Sequence, residues 1–336
     1  MIERLEKLDG LGAEIAARAA RAGVLAIWRA QVRSVLRVTV REGRTEESAS
    51  GVFAGHGVQV RTAEGRMALA SRDGLDPGPA LGLLDRAAAA ARGSGPLGVA
   101  EAADAKLPVA VGRSVPAGIE AFDETEPPKV AARLAEIERE IAAAEPGVRL
   151  RLSWLQDLDA WRVLRSDGTD VLYAMPRSVL RVAATTGGDR SRHSIGAAIA
   201  GPDPRIPWDE RSVALFLRRA VAAARLAREL PDAPVHPAGA HPLVIDYTLA
   251  KGLAHEAFGH AAEADGFRSS VLARDGRFRA GERVAADRVS IVDEPIPGDH
   301  AWQPYGPNGL PRERATIVDR GVLADALAEG QPEFSP

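Results

Sequence analysis

Leu36-Arg37-Val38-Thr39-Val40-Arg41-Glu42-Gly43-Arg44 is the stretch from which the fold class follows. Apolar residues at 36, 38 and 40 alternate with polar ones, the period of a strand with one buried face. Glu42-Gly43-Arg44 then supplies a turn, so a hairpin is expected here. Upstream, residues 2–30 read as helix, with Leu5, Leu8, Ile15, Ala19 and Leu25 loosely on one face. Downstream, Gly57-Val58-Gln59-Val60-Arg61 alternates again, Ala63-Glu64-Gly65 turns, and Arg66–Ser71 is the next strand. Asp76-Pro77 opens a helix through Leu81, Leu84 and Ala88 that ends at Gly93. Helix, hairpins and helix in that order form an α+β pattern.

A second unit of the same kind follows. Residues 93–128, rich in Gly, Pro and Ala, read as a long connection, and residues 129–143 as a helix with Val130, Leu134, Ile137 and Ile141 on one face. Leu150, Leu152 and Trp154 alternate as a strand. Asp167-Gly168 turns the chain into Val171–Tyr173 and Val179–Val182, and Asp209 caps a helix running to about Leu230. Four prolines between Pro231 and Pro242 mark a boundary. Beyond it, Leu243–Asp246 reads as a short buried strand, and Thr248 as the cap of the next helix. The chain therefore divides into an α+β segment at 1–100, a second at 115–232 and a C-terminal part at 238–336.

Composition narrows the function. A net charge of −3 and a pI near 6.2 lack the basic footprint of a nucleic-acid binder. No apolar run is long enough to cross a bilayer, and Met1-Ile2-Glu3-Arg4-Leu5-Glu6-Lys7 lacks the order of a signal peptide, so a cytoplasmic location is expected. The absence of cysteine excludes disulfides and thiolate catalysis from these residues. No Gly-x-Gly-x-x-Gly or Gly-x-Ser-x-Gly occurs, which leaves nucleotide-fold and serine-hydrolase readings without support.

The chemistry concentrates in His255-Glu256-Ala257-Phe258-Gly259-His260. Neutral imidazole is a common zinc ligand, and a neighbouring glutamate is the usual base for an attacking water. Histidines five apart on an α-helix stand roughly 140° apart around the axis, too far round to share one ion. A local π-type turn would bring them into line, and Gly259 is where the backbone deforms most easily. The competing reading is a pair of ordinary half-buried histidines on a core helix.

The longer string His255-Glu256-Ala257-Phe258-Gly259-His260-Ala261-Ala262-Glu263-Ala264-Asp265 resembles the signature of the TldD/PmbA metallopeptidases. The resemblance extends to Gly57–Ser71, to the middle segment, to Val284–Pro295 and to Ile317–Leu323. It implies an N-terminal helix and antiparallel-sheet part in two conserved segments, with a β-rich C-terminal metallopeptidase domain that is incomplete here. It implies a TldD-type subunit in which His255 and His260 bind Zn2+, and Glu256 is the general base. Short or unfolded peptides would be the substrates, and the chain would form a homodimer or a heterodimer with a PmbA-type subunit. The family's third ligand is a downstream cysteine, which this sequence lacks. Glu263 is the nearest substitute, Asp265 the next and His300 a distant third. The missing ligand keeps a second reading open, that of a non-catalytic scaffold subunit. The sequence also departs at Trp302–Pro311, where the family's acidic turn is replaced by Gly-, Pro- and Asn-rich residues that keep the turn and drop the acids.

Other polar groups have plainer readings. His236 and His241 flank prolines and are expected to be exposed. Arg190-Ser191-Arg192-His193 and Glu46-Glu47 are expected to be solvated, and Trp28, Trp154, Trp161, Trp208 and Trp302 to serve packing, with Trp302 nearest the site.

Overall fold

The computed structural model describes residues 1–94, 107–187 and 193–328. Two helices open the chain, α1 (Ile2–Glu6) and α2 (Leu11–Ala22), and the second stops at Gly23, whose φ of 64° is a left-handed cap. The expected helix over 2–30 is therefore corrected: residues 24–30 begin β1 (Val24–Arg41). Val24, Ile27 and Trp28 are β-branched or aromatic, and they favour a pleated surface once the cap has ended the helix.

Strands β1 and β2 (Arg44–Thr62) form the expected hairpin about Glu42-Gly43, with both turn residues at positive φ. It is far longer than the alternating core that betrayed it. The turn is held from outside by buried Glu138, whose two oxygens accept the backbone N–H groups of Glu42 and Gly43 at 2.8 and 2.7 Å. Strand β3 (Met67–Asp73) and α3 (Pro77–Gly93) follow where expected. The connection after α3 carries a short strand, β4 (Val111–Ser114), and a single 3-10 turn at Ile119–Phe122. Helix α4 (Pro127–Ala144) buries Val130, Leu134, Ile137 and Ile141, the face its spacing predicts.

Strands β5 (Arg149–Arg165) and β6 (Asp170–Thr186) are each continuous, so the separate strands read at 171–173 and 179–182 are one element. Burial on both faces in its middle stretch masks the alternation there. Strand β7 (His193–Gly201), which the sequence did not signal, adds to β6. Residues 190–192 of the basic cluster lie outside the described residues. Helix α5 (Glu210–Glu229) is capped by Asp209, whose carboxylate accepts the Ser212 N–H at 2.7 Å.

These strands make one mixed sheet of order β3-β2-β1-β5-β6-β4, with β7 also on β6. Central pairing of β1 with β5 joins the two α+β segments into a single sheet. All helices so far lie on one face, in two adjacent cores. Trp28, Val58, Leu84 and Leu164 belong to the first, and Trp154, Leu180, Ile137 and Phe216 to the second.

The opposite face is covered at one end by residues 299–310. Tyr305 packs against Tyr173 with ring centroids 5.5 Å apart and the planes tilted by 41°, beside buried Val163, Val171 and Met175. Arg29 donates to the Asn308 side chain and Arg165 to its carbonyl, both at 3.0 Å, while Arg177 donates to the His300 carbonyl at 3.2 Å. Gly309 sits in this strap at φ +75°, where a Cβ would lie 3.0 Å from Thr169 Cγ2.

Residues 233–246 contain no helix or strand, which corrects the buried strand expected at Leu243–Asp246. Leu243 and Val244 are 81% and 104% exposed. β-branched residues do not make a strand without a neighbour to pair with, and none of the described strands runs beside them. Helix α6 (Tyr247–Ala254) is capped by Asp246, whose Oδ1 accepts the Leu249 N–H at 2.9 Å. The cap thus falls two residues before the expected Thr248. The C-terminal part then has a two-residue hairpin, β8 (Ala273–Arg274) and β9 (Arg277–Phe278). A three-stranded sheet follows, of β10 (Ile291–Asp293), β11 (Ala315–Asp319) and β12 (Val322–Leu323). Its small core gathers Ala262, Leu272, Ile317, Val318 and Leu323.

Candidate metal centre

After Ala254 the chain leaves the α-helical path. His255–Gly259 form a π turn and His260–Ala262 a 3-10 turn. Adding a residue to the turn brings positions five apart onto one side, and the rings of His255 and His260 stand 4.5 Å apart between centroids. This is the local distortion that the His-Glu-x-x-x-His spacing calls for. Gly259 is not what makes it possible. Its φ of −56° and ψ of −65° suit any residue, and an added Cβ would meet only ordinary contacts at 3.7 and 3.9 Å.

Ligand atoms of His255, Glu256 and His260 all lie within 4.8 Å of one another, and all three residues are exposed. Two nitrogens on one tetrahedral zinc, each at about 2.0–2.1 Å, stand about 3.4 Å apart, a gap that side-chain rotation can close. The donor set of two imidazoles and a carboxylate fits a borderline divalent ion.

Glu263 lies outside this group of mutually close ligand atoms. Its Oε1 instead sits 3.0 Å from His260 Nδ1. The backbone turns extended at Glu263 and forms a parallel bridge with Leu327. Asp265 is exposed on the next 3-10 turn, Ala264–Gly266, and also lies outside the group. His300 is in the strap against the sheet. Burial pulls its pKa below the ordinary histidine value, and Arg177 adds to this while the Gly201 backbone opposes it.

Glu263 also lines a cavity of about 520 Å³, with Asp293, Gln303, Leu310, Arg312 and Leu327 among its other walls. Arg312 is paired with Asp293 at 2.7 Å. The turn expected within Trp302–Pro311 is present, closed by Gly306 N–H donating to the Leu310 carbonyl at 2.9 Å. Where the family pattern would place acids, Asn308 meets Arg29 and Arg165. Sequence reasoning missed this docking strap and its three arginines. On the strands they look like ordinary solvent-facing positions, and only the tertiary fold shows that residues 299–310 cover them.

His236 and His241 are exposed as expected, yet their rings too are 4.5 Å apart, and both hydrogen-bond the Pro237 carbonyl. No carboxylate joins them to make a group of three among the described residues. Trp28 and Trp154 are fully buried, while Trp208 is 43% exposed.

Residues 238–330 match the PmbA/TldA metallopeptidase C-terminal domain. A metalloprotease of Archaeoglobus fulgidus is 36% identical over 99 residues, which is 30% of this chain and 23% of that protein. A metalloprotease of Methanocaldococcus jannaschii is 33% identical over 115 residues, 33% of this chain and 25% of the relative. The chain thus spans about a quarter of the length of the curated relatives it matches. Among solved structures, TldE from Thermococcus kodakarensis superposes with a TM-score of 0.74 at 15% identity, covering 99% of this chain and 72% of that one. The fold is shared along nearly the whole chain, and residues 238–330, which resemble the PmbA/TldA metallopeptidase C-terminal domain, contain His255, Glu256 and His260.

Proposed function

We propose that this chain is a TldD-like, zinc-dependent peptidase subunit in which His255 and His260 are the metal ligands and Glu256 the general base. The observation that carries the reading is the π turn, a local departure from α-helix that draws two imidazoles and a carboxylate into one small group. Such an arrangement has no packing purpose, since all three side chains are exposed.

A divalent ion held there would supply Lewis acidity to the scissile carbonyl and to the attacking water. His255 and His260 each offer a bare ring nitrogen to hold it. Glu256, one residue from the first ligand, takes a proton from the attacking water and returns it to the departing amine as the C–N bond breaks. Exposure of the group leaves room for an extended substrate. The substrates proposed are short or unfolded peptides, the setting cytoplasmic, and the assembly a homodimer or a pair with a PmbA-type subunit. The metalloprotease names of the curated relatives support the class of activity.

One observation favours the alternative of a non-catalytic scaffold subunit. Among the described residues no further His, Asp or Glu joins the three, so with Glu256 acting as base only two protein ligands remain. Catalytic zinc usually has three. Elemental analysis of the purified chain beside His255→Ala and His260→Ala decides between them. About one zinc per chain, lost in both variants, supports the peptidase. In that case Glu256→Gln should keep the metal and lose peptide hydrolysis by about 10²–10⁴-fold. A wild-type chain that takes up no zinc would establish the scaffold reading.

A further inference from the structure

We infer that Glu263 is a positioning residue, one that fixes which nitrogen of His260 is presented to the metal, and that it is not itself a ligand. The inference rests on the metal reading above and reassigns the residue first in line as a third ligand.

The contact is specific. Glu263 Oε1 lies 3.0 Å from His260 Nδ1. An ionised carboxylate can only accept, so Nδ1 carries the proton and Nε2 keeps a free lone pair. Histidine ligands of metals commonly donate their second ring N–H to a carboxylate in this way, which sets the tautomer and the ring's orientation.

The backbone shows why Glu263 stays there. The helical path ends at this residue, where φ −68° and ψ 123° are extended. The segment is then tied to residue 327 by two bonds, Leu327 N–H to the Ala262 carbonyl at 2.8 Å and Ala264 N–H to the Leu327 carbonyl at 3.0 Å. Both flanking residues, Ala262 and Ala264, are buried. Swinging the carboxylate round to the ion would mean giving up the Nδ1 contact, and displacing the backbone would break the bridge. Among the described residues, the ligand atoms that do lie together are those of His255, Glu256 and His260. Residues near 327 therefore act on the metal helix through Glu263, although they are remote from it in sequence.

The test needs no turnover. In metal-free protein with ¹⁵N-labelled histidine, at about pH 8, the His260 signals report which nitrogen bears hydrogen. Wild type should show the Nδ1–H form. Glu263→Ala should lose that preference, whereas Glu263→Gln, which still offers an oxygen, should retain most of it. In titrations with Zn2+ against a competing chelator, Glu263→Ala should bind with unchanged stoichiometry and about 10–100-fold weaker affinity. Its Co2+ absorption spectrum should keep the wild-type coordination number. A Co2+ spectrum showing a lost protein ligand would overturn the inference in favour of direct ligation. An unchanged tautomer in Glu263→Ala would overturn it outright. If wild type shows the Nδ1–H form and binds no metal, the positioning contact stands and the peptidase reading falls.

Discussion

Replacing Gly309 with alanine should loosen the seating of the C-terminal part on the sheet, by an amount that can be worked from two glycines. Gly309 has φ +75°, a region that costs an alanine about 1–2 kcal/mol. The new Cβ would also lie 3.0 Å from Thr169 Cγ2, 3.3 Å from Val163 Cγ1 and 3.4 Å from Val171 Cγ2. All three neighbours are buried and stiff at χ1, and Thr169 is further held by accepting the Ala110 N–H. They cannot turn aside, so overpacking adds about 1–3 kcal/mol. Gly276 is the natural control, with the same φ of +75° and nothing within 4 Å of its added Cβ. Backbone strain and the unfolded-chain effect are then common to both variants, and the difference isolates the contact. Equilibrium denaturation of wild type, Gly276→Ala and Gly309→Ala should show Gly309→Ala weaker than Gly276→Ala by about 1–3 kcal/mol. Losses equal within about 0.5 kcal/mol would refute the reasoning, because they would mean that the strap does not press on Val163, Thr169 and Val171.

Further outcomes follow from other sites. His236→Ala and His241→Ala should leave metal content unchanged while His255→Ala lowers it, although both pairs have the same spacing and ring separation; equal losses in elemental analysis would remove Glu256 from the account. Glu138→Gln should destabilise the protein by about 1–3 kcal/mol, since an amide nitrogen would face one of the turn's two N–H groups; an unchanged denaturation midpoint would count against that clamp. His56 is buried beside Trp28 with no hydrogen-bond partner on either ring nitrogen among the described residues, and burial, helped by Arg72 and opposed by Asp76, lowers its pKa. The folded form thus binds fewer protons than the unfolded one. Stability from neutral His56 is complete above about pH 6.5 and is lost as pH falls toward the depressed folded value. His56→Phe should flatten that acid limb in thermal melts, and an unaltered slope would assign the limb to other groups.

How far the sequence revealed this molecule depended on how local the signal was. Strict alternation at Leu36–Val40 and the Glu42-Gly43 turn are local, and the hairpin followed from them. Helix α4 was legible because Val130, Leu134, Ile137 and Ile141 share one face. Strand β7 and the middle of β6 were not, since burial on both faces or partial cover erases the alternation. Residues 24–30 were misread because a helical face can be traced through Leu25, while the glycine cap that ends the helix weighs little in a periodicity count. At the candidate metal centre, sharing one ion between histidines five apart calls for a π turn, and the spacing was enough to expect one. The Glu263–His260 contact could not be read from spacing, because it depends on the chain turning extended at Glu263 under the hold of Leu327. Asn308 was equally hidden, its partners Arg29 and Arg165 being distant in sequence.

The central place of β1 has a consequence for how the chain folds as it is made. Its partner β2 follows at once, but β5, its other neighbour, begins only at Arg149. Until then the 18-residue outer edge of β1 has no strand beside it. Closing so distant a pair is slow, and an open edge of that length invites pairing with other chains. A fragment ending after α3 would keep that edge permanently bare, so the first segment expressed alone should aggregate, while one extended through Glu229, which includes β7 and α5, should not.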